Sequence, residues 1–289
     1  KPENNGTVIW DELKRREAAR SNCVPFYSCL YRTLLFPREF YEFDAQGKPV
    51  YYSPYNGKIQ DGYMYTDNGF WDTFRAVHPL FTLLYPEVSE RVTQSILNAY
   101  DESGFMPEWA SPGHRECMIG NNSISLLTDA WMKGIRTICP EKALEAMIHQ
   151  TEARHPGISS VGRDGFGYYD RLGYVPYPEV HEATAKTLEY AYADWCVARF
   201  ADSIGRKEIA DTYYRKALNY RNLYYPDYGF MWAKDANGKW RDAFDATEWG
   251  GPFTEGSSWH WTWSVLHDPE GLSRLMGGHT AMEARLDSM

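Results

Sequence analysis

Thr187-Leu188-Glu189-Tyr190-Ala191-Tyr192-Ala193-Asp194-Trp195 lies inside the longest periodic run of the chain, Glu182 to Ile204. Apolar and aromatic side chains recur there at helical spacing, and the run opens on a Glu182–Lys186 pair at i,i+4. Lys207 to Tyr224 follows across a tight turn at Gly205, which predicts two antiparallel helices. Glu189 and Asp194 fall mid-helix among large aromatics. A charged group in a buried helix needs a partner, so both are read as structural anchors bonded to loop backbone.

Working outward, helical patterns dominate. Trp10 to Arg20 opens with Asp11 and Glu12, and Phe26 to Leu35 is a second helix stopped by Pro37. Phe70 to Leu84, Val88 to Tyr100, Asn121 to Ile135 and Glu141 to Gln150 continue the series. Ser257 to Leu266 and Gly271 to Met276 finish it. Asp44-Ala45-Gln46-Gly47 and Asp67-Asn68-Gly69 are turns flanking an irregular, Tyr-rich stretch, Tyr51 to Tyr65. Residues 105–117 read as loop and Gly162 to Gly173 as a Gly-rich connection. Gly229 to Trp240 reads as a hairpin through Asp235-Ala236-Asn237-Gly238. That makes nine or ten helical patterns with short and long loops alternating, and no fixed-period repeat. Helix hairpins with long loops on one side predict an all-α, α/α toroid-like barrel with small β-hairpin excursions.

Composition narrows the function. At 289 residues the chain can bury a large core, and no compositional break divides it, so one domain is expected. The net charge of −9 argues against nucleic acid, which needs clustered cations. Lys14-Arg15-Arg16 is interleaved with Glu12 and Glu17 and reads as a solvated helix face. Eleven Trp and 22 Tyr suit a sugar-handling surface, although an aromatic helical core has the same composition. The five cysteines show neither CxxC nor metal spacing, and an odd number leaves at least one free thiol. No apolar run reaches membrane-spanning length. No metal site is predicted, because HxxxH and HExxH spacings are lacking, and no GxSxG elbow is present. Lys1 suggests a processed or excised piece.

Three groups of residues carry candidate chemistry. In Gly250-Gly251-Pro252-Phe253-Thr254-Glu255-Gly256-Ser257-Ser258-Trp259-His260-Trp261-Thr262-Trp263 one carboxylate precedes three tryptophans within five residues. Sugars stack on indoles, and a carboxyl beside apolar rings stays protonated, as a glycosidase acid requires. Glu255 is thus a candidate catalytic acid, with Trp259 and His260 beside substrate. The alternative is a helix cap followed by core tryptophans. In Phe70-Trp71-Asp72-Thr73-Phe74-Arg75, Trp71, Asp72 and Arg75 form a candidate hexose clamp; the alternative is a first-turn Asp72 paired with Arg75. Glu108, Trp109 and Glu116 are candidate substrate contacts, Glu116 alternatively pairing with Arg115. Cys117 lacks a nearby base, which excludes thiol catalysis.

Several blocks together resemble glycoside hydrolase family ninety-two, the calcium-dependent exo-acting α-mannosidases. They are Phe26-Tyr27-Ser28-Cys29-Leu30-Tyr31-Arg32-Thr33-Leu34-Leu35, Trp71-Asp72-Thr73-Phe74-Arg75 with His78-Pro79-Leu80, and Glu116-Cys117-Met118-Ile119-Gly120. Asp129-Ala130 with Lys133-Gly134-Ile135, Gly173-Tyr174-Val175-Pro176, and Lys186-Thr187-Leu188-Glu189-Tyr190-Ala191 follow. Thr254-Glu255-Gly256 with His267-Asp268 and Gly271-Leu272 closes the series. The blocks occur in family order across nearly the whole chain.

The resemblance implies an (α/α)6 catalytic domain and inverting hydrolysis of terminal α-linked mannose from N-glycans or mannans. It points to Glu255 as general acid and to Trp71 and Asp72 as lining the mannose pocket. It implies calcium bridging two mannose hydroxyls, and a periplasmic or secreted location. The family's calcium ligands and base belong to G-N-E-P and D-x-G-Q blocks downstream of the T-E-G motif, and the chain stops at Leu286-Asp287-Ser288-Met289 before either. A preceding β-sandwich domain is also lacking. Residues 1–289 are therefore expected to be a partial catalytic domain whose partner is the remainder of the same polypeptide, inactive as an isolated segment. Asn122 stands where the family tends to have His, and Ala185 where it tends to have Ser, which touches pocket polarity. Two alternatives stand beside this: an α/α-barrel glycosidase for another sugar (glucosidase- or trehalase-like), and a non-catalytic sugar-binding helical module.

Overall fold

Helix α1 (Asn5–Thr33) crosses the position where the sequence suggests a break, because Pro25 sits inside it. The expected pair, Trp10 to Arg20 and Phe26 to Leu35, is one continuous rod. An internal proline removes one hydrogen bond without necessarily ending a helix. This computed structural model describes residues 5–289, with side chains from Lys14 onward apart from Ala18 and Asn22. The reading of Lys1, and the side chains of Trp10, Asp11 and Glu12, lie outside the described residues. Lys14, Arg15, Arg16 and Glu17 are exposed, as a solvated face requires. The chain divides into two units, residues up to Arg38 and Glu39–Met289.

The second unit opens with three short antiparallel strands, Glu42–Phe43, Pro49–Tyr52 and Ile59–Asp61. Its first hairpin turns where Asp44-Ala45-Gln46-Gly47 predicts: Asp44 Oδ1 accepts from the Gln46 and Lys48 amides at 2.9 and 2.8 Å. The rest is mostly helix. α2 (Phe70–Thr73) and α3 (Val77–Leu84) replace the single helix expected over 70–84. Pro79 supplies the reason: restarting at Val77 puts it in the first turn, where its missing N–H has no acceptor to lose. α4 (Pro86–Ser103), α5 (Asn122–Met132) and α6 (Pro140–Glu152) follow. α7 (Phe166–Leu172) occupies what reads as a Gly-rich connection; Gly165 and Gly173 bound it rather than interrupt it.

α8 (Ala183–Ser203) is the axis of this unit, with 16 of its 21 residues buried. A helix apolar on all sides is one enclosed on all sides. It packs against α5, α6 and α9 (Lys207–Lys216), the last continuing as a 3-10 helix through Leu223. On one side Val197 and Phe200 join Ile96, Ile124, Leu127, Met147 and Tyr213. On the other, Leu188 and Ala191 join Tyr220, Trp232, Phe253, Trp261 and Leu272. The expected Glu182–Lys186 pair does not form. Glu182 takes a left-handed conformation (φ +57°) just outside the helix, and Lys186 pairs with Asp164 at 3.0 Å.

Tyr224–Tyr225 pairs with Phe230–Met231, and Lys234 bridges to Trp240 around the predicted Asp235-Ala236-Asn237-Gly238 turn. α10 (Ser258–Trp261) is one turn, shorter than the helix expected to Leu266. α11 (Pro269–Met276) and α12 (His279–Asp287) complete the described residues, the last without a sequence signal that singled it out. All five cysteines are free.

Candidate active site

The loop bearing Glu255 is docked on the N-terminus of α8. The carbonyl of Gly251 accepts from Glu182 N at 3.1 Å, and that of Pro252 from Thr184 and Ala185 N at 3.0 and 3.2 Å. These amides have no partner within the helix, so the loop satisfies them. Gly250 N donates to Gly256 O at 2.8 Å, which closes the loop, and Trp261 Nε1 donates to Thr254 O at 2.8 Å beneath it. Glu255 stands at the apex with φ +44°, an uncommon conformation for a residue with a Cβ. Its side chain is exposed.

The tryptophans do not enclose it. Trp261 is buried in the core, and Trp259 is half-buried, edge-on to Phe230 at 4.7 Å. Positions two apart on a helical turn point to opposite sides, so 259, 261 and 263 cannot line one wall. His260 is exposed and caps α10, its Nδ1 accepting from Ser257 N at 3.2 Å.

Cys117, half-buried, is within electrostatic reach of the Glu255 loop and of Asp72. Burial pushes the Cys117 thiol up, and the negative charges of Asp72 and Glu255 raise it further. Both carboxylates thus act on one point. Neither is held by a hydrogen bond or ion pair to another described residue. Two carboxylates left unpaired and exposed, both within electrostatic reach of Cys117, form a rim that can engage hydroxyl groups or a proton in transit.

Trp71 stands beside Asp72 on α2, and Arg75 follows in the turn after it. The Arg75 guanidinium lies 4.3 Å from the Trp71 ring centre and 3.9 Å from Glu189 Oε1. The alternative Asp72–Arg75 pair does not form, because Arg75 turns toward Trp71, Phe74 and Glu189 instead. Trp71 Nε1 donates to Glu189 Oε1 at 3.2 Å. Glu189 is buried, and that burial pushes its carboxyl up to about 7 against the lowering effect of Arg75.

The Glu108 carbonyl meets the start of α2, accepting from Phe70 N at 3.1 Å, but its carboxylate turns inward. It is buried against the start of α5, accepting from Ser123 N at 3.0 Å, Ser123 Oγ at 2.8 Å and Gln150 Nε2 at 2.8 Å. Burial raises its carboxyl to about 7 despite these bonds. The Glu108 carboxylate is thus bonded within the protein and buried, holding the start of α5, where the sequence reading has it as a substrate contact. Trp109 covers Gly69, where an added Cβ would lie 2.2 Å from the ring. Glu116 is exposed and accepts from the Ser159 hydroxyl, while Arg115 bonds Ser111 O at 2.8 Å rather than Glu116. Glu116 and Cys117 border a cleft of about 190 Å³ with Ser159, Ser160, Glu182 and Lys186. Met118, on the same wall, is left-handed at φ +58°. Asp194 is anchored by Arg163 at 2.8 Å and the Tyr169 hydroxyl at 2.7 Å, side chains rather than the expected loop backbone.

Among the described residues no group of three or more His, Cys, Asp or Glu side chains is arranged to hold a metal ion. The exposed rim has two carboxylates where hard divalent cations take six or more oxygens, so the residues present do not make a calcium site.

A profile of the Glycosyl hydrolase family 92 catalytic domain matches residues 10–289. The chain belongs to glycosyl hydrolase family 92. Among solved family 92 structures it is similar to the inverting mannosidase BT2199 from Bacteroides thetaiotaomicron VPI-5482. There identity is 84% and the TM-score 0.90, over 91% of this chain and 36% of that one. The α-mannosidase BT3965 from Bacteroides thetaiotaomicron, solved in complex with mannoimidazole, is 30% identical, with a TM-score of 0.81 over 91% of this chain and 35% of that one. An uncharacterized secreted glycosidase of Arthroderma benhamiae is 24% identical over 91% of this chain and 33% of its own length. The chain thus spans about a third of these family 92 relatives. No helix among the described residues is long and apolar enough to cross a membrane.

Proposed function

We propose that this chain carries the acid half of an exo-acting, inverting α-mannosidase site, in which Glu255 protonates the glycosidic oxygen. The observation that carries the reading is the exposed, unpaired Glu255 at the apex of a loop pinned to the N-terminus of α8, in a chain 84% identical to an inverting mannosidase. Trp71, Asp72 and Arg75 hold the terminal mannose, Asp72 accepting from its hydroxyls. Trp109, Glu116, Trp259 and His260 are read as further sugar contacts. In an inverting mechanism the acid protonates the leaving oxygen while a second carboxylate, roughly 6.5–9.5 Å away, activates water on the opposite face. We assign no residue of this chain as that base.

The helices are read as part of an (α/α)6 toroid, completed together with the base by further sequence of the same polypeptide. The whole protein is read as calcium-dependent, its ligands not drawn from the described residues, and as periplasmic or secreted, acting on N-glycans or mannans.

Aryl α-mannosides and α-glucosides, assayed in the full-length protein with and without a calcium chelator, test this. Mannoside turnover that chelation abolishes is expected; chelator-insensitive glucoside turnover would overturn the substrate. Glu255→Gln is expected to lower kcat by about two to four orders of magnitude with little change in mannose binding, the span of general acid catalysis. Retained kcat would remove Glu255 from its role.

A further inference from the structure

Glu189 is a carboxylate that a helix core does not call for. It sits two turns into α8, 6% exposed, where an apolar side chain would pack without the penalty of a buried charge. Its partners belong to the sugar rim. Oε1 accepts from Trp71 Nε1 at 3.2 Å and faces Arg75 Nη2 at 3.9 Å, while the Arg75 guanidinium covers one face of the Trp71 ring at 4.3 Å. Oε2 is fenced by Gly120, where an added Cβ would lie 2.6 Å away, and the Asn122 side chain also reaches the carboxyl. Arg75 and Trp71 thus grip each other and are both tied to one oxygen.

We propose that Glu189 is a positioning residue of the mannose subsite, which fixes the Trp71 indole and the Arg75 guanidinium in the orientation that receives the sugar beside Asp72. This rests on the mannosidase reading above. An indole on a one-turn helix has free torsions, and a bond at its only N–H removes the rotation that would tilt the ring away. The carboxylate does not touch the sugar; it acts through Trp71 and Arg75.

The test uses the full-length protein and an aryl α-mannoside. Glu189→Ala is expected to raise KM about tenfold while kcat changes less than threefold, the signature of lost ground-state binding. Glu189→Gln keeps an oxygen for Trp71 Nε1 and is expected to recover most of the KM. Adding Glu189→Ala to Trp71→Phe is expected to raise KM by clearly less than Glu189→Ala does alone, because one of the two groups acted upon is already gone. Additive losses in that pair, or an unchanged KM with only a lower Tm, would overturn the inference. Should the Ala variant not fold, Glu189→Met, which fills the space without an acceptor, decides alone and combined with Trp71→Phe on the same criterion. A wild-type protein inert toward mannosides overturns the functional reading and this inference with it. An active wild type with KM indifferent to Glu189 overturns the inference alone.

Discussion

Gly120 shows how closely single atoms are specified around the rim. Its φ of +88° suits a residue without a Cβ, and any Cβ there would also strike Glu189 Oε2 at 2.6 Å. Gly120→Ala is therefore expected to lower stability by about 2 kcal/mol through combined strain and contact. It should also raise KM in the same direction as Glu189→Ala, since the carboxylate must shift. Urea denaturation and initial-rate kinetics on one preparation would measure both, and an unchanged KM would mean that the carboxylate does not move. Gly69 is constrained by its partner rather than by its backbone, because the Trp109 ring occupies the space of a side chain. Met118, Glu182 and Glu255 hold left-handed conformations without being glycine. Such strain persists only where the surrounding structure imposes it, and at Glu255 the docked loop does so.

Helix ends organise this site at the level of elements. The start of α8 is satisfied by Gly251 and Pro252 carbonyls, and the start of α5 by Glu108, so two loops are bound to the scaffold through amides that a helix cannot satisfy itself. Glu108→Ala leaves Ser123 N and Oγ without their acceptor and takes one of the two acceptors of Gln150 Nε2, and is expected to cost about 2–4 kcal/mol. Its titration has a definite sign. The folded-state value of about 7 exceeds the ordinary 4.5, so between these pH values the folded chain binds more proton than the unfolded one. The Glu108 contribution therefore falls as pH rises through that window. The stability difference between wild type and Glu108→Gln should shift against wild type by roughly 2–3 kcal/mol from pH 4.5 to 7.5. Equal differences at both pH values would show that the carboxyl is not shifted.

Acid sensitivity of the whole molecule runs the other way through its histidines. His78 lies between Phe70 and Phe81, and burial lowers it to about 3; burial lowers His114 to about 4. Unfolded histidines take up protons near their ordinary 6.5. Between these values the unfolded state binds more proton, so stability present above pH 6.5 is lost as pH falls toward 4. His78→Phe, which keeps both ring contacts, is expected to recover roughly 2–3 kcal/mol at pH 4.5 relative to pH 7.5. Urea midpoints at the two pH values would check this, and identical acid losses in both proteins would exclude His78 as the source.

Helix-rich architecture was legible in the chain because apolar spacing over Glu182 to Ile204, Val88 to Tyr100 and Asn121 to Ile135 is a local property that packing then used. Family membership was legible too, since the ordered blocks are read directly off the residues. Breaks were less so: Pro25 was absorbed where a stop looked natural, whereas Pro79 forced one where none was expected. Only the tertiary structure decided which acids are free. Glu108 and Glu255 carry the same side chain in loops rich in Pro and Gly, yet one is enclosed by Ser123 and Gln150 and the other stands exposed and unpaired. Trp71 and Glu189 are 118 positions apart, and no local pattern connects them. Periodicity encodes which face of a segment is buried, but the partner across that face is fixed by packing, where long-range contacts compete for the same space.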